Sequence, residues 1–482
     1  MIERLRDRLA EVDFTVDAVG ERLGPEAHAA LLRNETTPAR RATADGSPLS
    51  TLVRLFQLQL PVPRDAAEQA LPGLLGDLVE VGLLGADGSD VHARADLRPY
   101  GDDDHDWWVV CDLTPGLDTE PVTVGPDHVL GISEASSSLA RLAVRRGADR
   151  ALDLGTGCGV QALHLAGHSR EIVATDVNPR ASWAARLTAA LNDVDVDVRQ
   201  GSLYEPVADE RFDLVVTNPP FVVSPPGDER LVYRESDLPG DDVVRRIVTD
   251  AHRHLRPQGW CQALASWMHT DERPWEERLQ AWIGPTGLDA WVVQREVVDL
   301  PAYVEMWLAD AGLRHRPDYV RRYDEWLSWF DAQGVEAMAF GWISLRHAGR
   351  DTPVVRTETW QHDVGGSMGA AVLAWADRMD ALAGTDDVLD VRWRQALGLG
   401  QETFGPAGAV DPEAIVLRLA DGPRRARQVD TVEAGLVGAL DGDLTAGQVI
   451  DALATLLDLD AAELRERYRP VVHDLVADGF LQ

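Results

Sequence analysis

The sequence predicts an α/β fold: a seven-stranded Rossmann-like core flanked by N-terminal and C-terminal winged-helix-like α+β regions. Three observations lead there. Buried apolar strand runs alternate with helical periods between about 119 and 348. A run of closely spaced glycines joins the first of those strands to a helix. Short amphipathic helices with strand-like runs occupy both ends of the chain.

The N-terminal region, residues 1–118, opens with helical patterns and ends in two strand-like runs, Val91 to Leu97 and Trp107 to Leu113, around the polar turn Gly101-Asp102-Asp103-Asp104-His105. Helices followed by a hairpin suggest a winged-helix-like module, which either docks on a partner or caps the next region. The core region, 119–348, carries strands at Arg150 to Leu154, Glu171 to Asp176, Val196 to Gln200, Phe212 to Thr217, Trp260 to Ser266, Leu288 to Val298 and Val335 to Leu345. Between the last two lies a helical insertion, 301–334, holding Tyr303, Trp307, Tyr319, Tyr323, Trp326, Trp329 and Phe330. It is a candidate lid, although aromatic residues at helical spacing are more often core. The C-terminal region, 349–482, has a strand at Ala414 to Leu419 and a helix at Ala446 to Leu457 with Thr445 as N-cap. A further helix covers Ala461 to Val476, and Asp478-Gly479-Phe480-Leu481 reads as the start of a small wing.

Composition narrows the function. The 482 residues include 46 Lys+Arg, all of them arginine, against 80 Asp+Glu, for a net charge of -34. Such a surface repels phosphate backbones, so nucleic-acid binding has to rest on a local arginine patch, and wholesale basic-groove binding is excluded. The three cysteines, Cys111, Cys158 and Cys261, lie far apart, which argues against a disulfide framework and a structural zinc site. The run Asp102 to Asp106 lacks the spacing of a calcium loop, and His252 with His254 lacks a zinc-helix context, so no metal is expected. The charged segment Met1 to Arg8 is no signal peptide, and no stretch suits a membrane helix, so the expectation is a cytoplasmic protein with no membrane partner.

The most informative stretch is Ala151-Leu152-Asp153-Leu154-Gly155-Thr156-Gly157-Cys158-Gly159. Glycines at 155, 157 and 159 permit a tight turn and close approach of backbone to a ligand, and Asp176 at the end of the second strand is placed to accept two ribose hydroxyls. A nicotinamide enzyme needs its third glycine one place later, where Val160 stands, and the loop has no Gly-Lys-Ser/Thr ending for a phosphate. Asp153 before the loop suits a cationic ligand, and S-adenosylmethionine carries a sulfonium and an amino group. Farther on, the strand Phe212 to Thr217 runs into Asn218-Pro219-Pro220-Phe221. Two prolines remove backbone donors and freedom, so the Asn218 side-chain oxygen and the Pro219 carbonyl form a pair of acceptors for an NH2 group.

These motifs resemble those of class I S-adenosylmethionine-dependent methyltransferases with an N-P-P-[F/Y] sequence, among them release-factor glutamine, ribosomal-RNA guanine and adenine amino-methyltransferases. The likeness covers about 119–348 and extends through Arg199 to Pro206 and Leu255 to Trp260. It implies a cofactor site at Asp153, Gly155, Gly157, Gly159, Asp176, Ser202, Leu203 and Asn218. Many relatives have an aspartate where this chain has Ser202. The resemblance further implies that Asn218 and Pro219 orient a planar nitrogen, that Phe221 stacks on it, and that the methyl passes in line without a covalent enzyme intermediate. The segment Gly125 to Ser136 resembles the one that folds over the cofactor, with Ser133, Glu134 and Ser136 near its methionine part or, equally, Ser133 as a plain helix cap. Tyr233, Arg234 and Glu235, with Gly240 and Asp241, are placed to border the substrate.

The expected activity is N-methylation of a macromolecular acceptor, protein or RNA, with a protein glutamine amide favoured. The alternatives are the exocyclic amine of an RNA or DNA base, a small-molecule acceptor, and a non-catalytic cofactor sensor.

Overall fold

The computed structural model describes residues 1–119, 124–125, 127–226, 238–314, 316–360, 362–407 and 412–482. The chain forms two compact units, one of Met1–Ala140 with Arg146–Glu358 and the other of Arg141–Arg145 with Thr359–Gln482.

The first unit is built on a sheet of eight strands: β1 (Ala148–Leu154), β2 (Ser169–Asp176), β3 (Asp197–Gln200), β4 (Phe212–Thr217), β5 (Leu255–Thr270), β6 (Asp289–Asp299), β7 (Val335–Arg346) and β8 (Val355–Thr359). Their order is β8-β6-β7-β5-β4-β1-β2-β3. The pairs β1/β2, β2/β3, β1/β4 and β4/β5 are parallel, while β7 runs antiparallel to both β5 and β6. Buried Leu152, Leu154, Val215, Cys261 and Ala265 share one core with Val244, Ile247 and Ala251, which lie on the helix Asp242–His254. Seven strands fall where the sequence pattern puts them. The eighth, β8, is a correction: its residues are half exposed and alternate Arg356 with Glu358, so no apolar run announced it.

Connections of the sheet are α1 (Val160–Ala166), α2 (Pro179–Leu191), α3 (Asp242–His254), α4 (Trp275–Ile283), α5 (Leu300–Asp310) and α6 (Tyr319–Ala332). The expected insertion is thus a pair of helices, α5 and α6. Tyr303 and Phe330 are fully buried there against Val304, Val335 and Met338, and Trp307, Tyr319, Tyr323, Trp326 and Trp329 pack half-buried against them.

Ahead of the sheet, the helices Ile2–Glu11, Val16–Leu31, Thr37–Ala42, Pro48–Leu52, Arg64–Ala70 and Leu75–Glu80 surround a three-stranded antiparallel sheet of Val62–Pro63, Asp90–Ala93 and Leu84–Asp87. The run Val91 to Leu97 is divided: Asp90–Ala93 belongs to that sheet, and Asp96–Gly101 pairs with Asp106–Cys111 in a separate hairpin. Val91, Ala93, Ala95 and Leu97 alternate in sequence with His92, Arg94 and Asp96, so the apolar–polar pattern continues across the change of sheet and hides it. The hairpin ties this region to α2: Asn192 Oδ1 accepts from the Trp108 amide at 2.9 Å, and Thr188 Oγ1 from the Val110 amide at 3.0 Å. Leu191, Leu187 and Trp183 complete the N-terminal core.

In the second unit, strands Leu399–Phe404, Ala414–Leu419 and Ala426–Val429 form an antiparallel sheet, and helices Thr431–Ala439, Ala446–Leu457 and Ala461–Asp478 pack around Trp393, Tyr468 and Phe480. Thr445 caps its helix in a reciprocal box with Gln448. The closing residues pair antiparallel with residues 394–396: the Ala396 amide donates to the Phe480 carbonyl at 3.0 Å, and Arg394 and Gln482 exchange amide–carbonyl bonds at 2.9 and 2.8 Å. Gly479, at φ 88°, stops the last helix, and Phe480 and Leu481 turn back into the core, with the Phe480 amide donating to the Leu475 carbonyl at 2.8 Å.

Candidate functional site

At the carboxyl ends of β1, β2 and β4, where ligands of doubly wound sheets bind, lies a cavity of about 360 Å³. Its size is that of a cofactor pocket. Gly155, Thr156, Gly157 and Cys158 form one wall, Asp176, Val177 and Asn178 a second, Gly201, Ser202 and Leu203 a third, and Asn218, Pro219 and Pro220 a fourth.

The glycine turn has the conformation its sequence demands. Gly155, Gly157 and Gly159 all take positive φ, at 76°, 56° and 86°, which side-chain-bearing residues adopt at a cost. Amides of Gly155 and Thr156 donate to the Thr175 carbonyl at 2.8 and 2.9 Å, binding the turn to β2. Asp176 holds it from the other side: Oδ2 accepts the Gly157 amide at 2.9 Å and Oδ1 the Asn178 amide at 2.8 Å. Burial raises the Asp176 carboxyl above its ordinary range, opposed by these amide donors.

Asp153 and Gly159 do not line the cavity. Asp153 is buried behind the turn, where Oδ2 accepts the Thr156 hydroxyl at 2.6 Å, and burial pushes its carboxyl up to about 7. Gly159 packs against α2, where a Cβ would meet Ala185 Cα at 3.2 Å. Both shape the turn from behind.

The Asn218 turn is anchored at its start by Thr217 Oγ1, which donates to the Leu154 carbonyl at 2.7 Å. Asn218 Oδ1 is buried and has no hydrogen-bond partner among the described residues. Buried acceptors are normally paired, so this one marks a position where a donor is missing. Phe221 lies away from the cavity, edge-on to Phe340 at 6.2 Å between centroids.

Several lining residues escaped the sequence reading. Gln161 is buried at the start of α1 and donates through Nε2 to the Ser136 carbonyl at 2.7 Å. Asn178 caps α2 and donates through Nδ2 to the Asp127 carbonyl at 2.8 Å, tying the upstream segment to the rim. Its Asn-Pro pair was a legible cap signal. Arg246 on α3 also lines the cavity, with no ion-pair partner among the described residues. Of the residues expected from the sequence in the segment ahead of β1, Ser133 and Ser136 line the cavity and Glu134 does not, and Ser133 Oγ caps its helix by accepting the Ser136 amide at 3.2 Å. Tyr233, Arg234 and Glu235 lie outside the described residues.

Residues 131–270 match the family described as methyltransferase small domain. The chain carries a methyltransferase domain. On either side of it, residues 11–94 and 373–482 match two further families, each described only as a domain of unknown function (DUF7059 and DUF7782). The methyltransferase domain is similar to the ribosomal protein uL3 glutamine methyltransferase of Bradyrhizobium diazoefficiens, 36% identical over 124 residues, spanning 23% of this chain and 39% of that protein. Against the release factor glutamine methyltransferase of Xylella fastidiosa it is 37% identical over 129 residues, 24% of this chain and 47% of that protein. Against the ribosomal RNA small subunit methyltransferase C of Idiomarina loihiensis it is 30% identical over 137 residues, 28% of this chain and 35% of that protein. The chain thus spans less than half the length of these curated relatives. No helix among the described residues is long and apolar enough to cross a membrane.

Proposed function

We propose that the chain is an S-adenosylmethionine-dependent N-methyltransferase acting on a planar nitrogen of a macromolecule, with a protein glutamine amide the favoured acceptor. The observation that carries this is the buried Asn218 Oδ1, unpartnered among the described residues, on a residue that lines the same cavity as the glycine turn and Asp176. Bound there, S-adenosylmethionine supplies an electrophilic methyl group on a sulfonium. Asp176 would hold its ribose hydroxyls, since each carboxylate oxygen keeps lone pairs beyond the one amide it accepts. The glycine turn, Ser202 and Leu203 would enclose it, and Gln161 fixes the Ser136 segment along the same cavity.

On the acceptor side, an amide or aromatic amine delocalises its nitrogen lone pair into the adjacent π system, perpendicular to the plane. Asn218 Oδ1 and the Pro219 carbonyl accept its two N–H groups and hold the nitrogen in one orientation. Two prolines keep the pair in place without backbone donors to compete. Transfer forms the N–CH3 bond, breaks the S–CH3 bond to leave a neutral thioether, and releases one N–H proton, so what the chain contributes is orientation rather than a covalent enzyme intermediate.

The glutamine reading is supported by the two relatives named for glutamine methylation and by the scarcity of cations: Arg246 is the sole arginine among the described residues lining the cavity, in a chain of net charge -34. The RNA methyltransferase relative supports a base amine as second reading. The regions 1–118 and 349–482, proposed as winged-helix-like accessory modules around a core of 119–348, would then select the acceptor.

Incubating purified protein with methyl-labelled S-adenosylmethionine and lysate of a strain lacking the gene tests this directly. Label lost on protease treatment, and mapped to a glutamine, is the expected result. Label lost to ribonuclease selects the base-amine reading, and no macromolecular label from protein that binds the cofactor rejects both.

A further inference from the structure

Between Asn218 and Val223 the chain has few means of holding its own shape. Pro219 and Pro220 fix φ but remove two amide donors, so the register of the turn depends on groups outside it. Two buried hydroxyls supply them. Ser266 Oγ, on β5, donates to the Phe221 carbonyl at 2.6 Å. Tyr303 Oη, on α5, accepts the Val223 amide at 2.8 Å. Both side chains are fully buried, and so is Val223.

The tyrosine is itself held firmly. Asp299 Oδ1 caps α5 by accepting the Ala302 amide at 2.8 Å, one residue before Tyr303. The Tyr303 ring stacks on Phe340 at 6.0 Å, and Phe340 meets the Phe221 ring edge-on. Hydroxyl and ring therefore grip the turn together, one through the Val223 amide and the other through Phe340. Phe221, which does not line the cavity, serves this grip.

We propose that Tyr303 is a positioning residue of the transfer site: its hydroxyl, carried by the helical pair between β6 and β7, sets the 218–223 turn and so the Asn218 acceptor. This rests on the methyltransfer reading above. It makes the helical pair a support of the acceptor turn. Because the glycine turn and Asp176 make none of these contacts, loss of the hydroxyl alters transfer and leaves cofactor binding alone.

Tyr303→Phe removes the hydroxyl and keeps the ring. Amide hydrogen exchange at 221–223 is expected to speed up about tenfold, as for loss of one buried hydrogen bond. S-adenosylmethionine affinity by calorimetry is expected to stay within about twofold, and kcat for transfer of label to the lysate acceptor to fall about tenfold with KM for the cofactor unchanged. Tyr323→Phe is the control on the same helical pair: its hydroxyl donates to Glu305 at 3.1 Å on the exposed side, and it should move none of these readouts. Unchanged exchange at 221–223 in Tyr303→Phe overturns the proposal, as does faster exchange with wild-type kcat. A wild-type protein that transfers no label counts against the methyltransfer reading, and the exchange comparison then decides by itself whether Tyr303 holds the turn.

Discussion

The two halves of the cavity wall handle their polar groups in opposite ways. In the cofactor half, both oxygens of Asp176 accept a backbone amide, Asp153 accepts the Thr156 hydroxyl, and the amides of Gly155 and Thr156 share the Thr175 carbonyl. In the half proposed for the acceptor, the Asn218 turn is held by Ser266 and Tyr303 while Asn218 Oδ1 is buried without a partner among the described residues. An unpaired buried acceptor costs about 1–3 kcal/mol, a cost that a fold keeps where a ligand repays it. On the proposed reading, shape is thus built from satisfied groups, and the acceptor chemistry from an unsatisfied one.

The sharpest way to break that contrast is Asn218→Ala. Turnover should fall by about 10²–10³-fold, the usual loss for one preorganised polar group, with cofactor affinity largely kept. Wild-type turnover would reject the role of the Asn218 oxygen, and lost cofactor binding would move Asn218 into the other half of the site. Asp176→Ala should act the other way round. It strips two amides of their acceptor and removes the proposed ribose partner, so the Kd for S-adenosylmethionine, measured by calorimetry, should rise by about 10–100-fold. A Kd within threefold of wild type would remove Asp176 from the binding site.

Smaller and pH-dependent is the effect at Asp153. Its carboxyl sits at about 7 in the folded chain against an ordinary 3.8, so the folded state binds more protons between those values. The stability this gives is present below about 4 and is lost as the pH rises through about 7. Asp153→Asn stays neutral throughout and keeps an oxygen for the Thr156 hydroxyl. The Tm of the cofactor-free variant should therefore exceed that of wild type at pH 8, with the gap narrowing toward pH 5. A gap that is constant across this range would show that Asp153 is not titrating there.

Legibility in the sequence followed the kind of constraint. The glycine turn was readable because positive φ at 155, 157 and 159 restricts residue type position by position. Seven strands were readable because double burial demands continuous apolar runs. Strand β8 was not, because a half-exposed edge strand imposes no such run. Nor was the break between Ala93 and Asp96, where apolar and polar residues alternate unchanged in sequence from one sheet to the next. Among site residues, Gly155, Gly157, Asp176, Ser202, Leu203, Asn218 and Pro219 come together around the cavity, whereas Asp153, Gly159 and Phe221 stand behind it.

What the sequence determined by itself was the order of strand, glycine turn, helix, strand and Asn-Pro-Pro-Phe, because those elements depend on local backbone conformation and on burial period. Tertiary structure decided which side of the wall each side chain serves. Phe221 faces Phe340 rather than the cavity, Tyr303 reaches back 80 residues to the Val223 amide, and Gln161 meets the Ser136 carbonyl. Such pairings join residues distant in the chain through single hydrogen bonds and ring contacts, which place no periodic demand on the sequence and appear only once the sheet has brought the partners together.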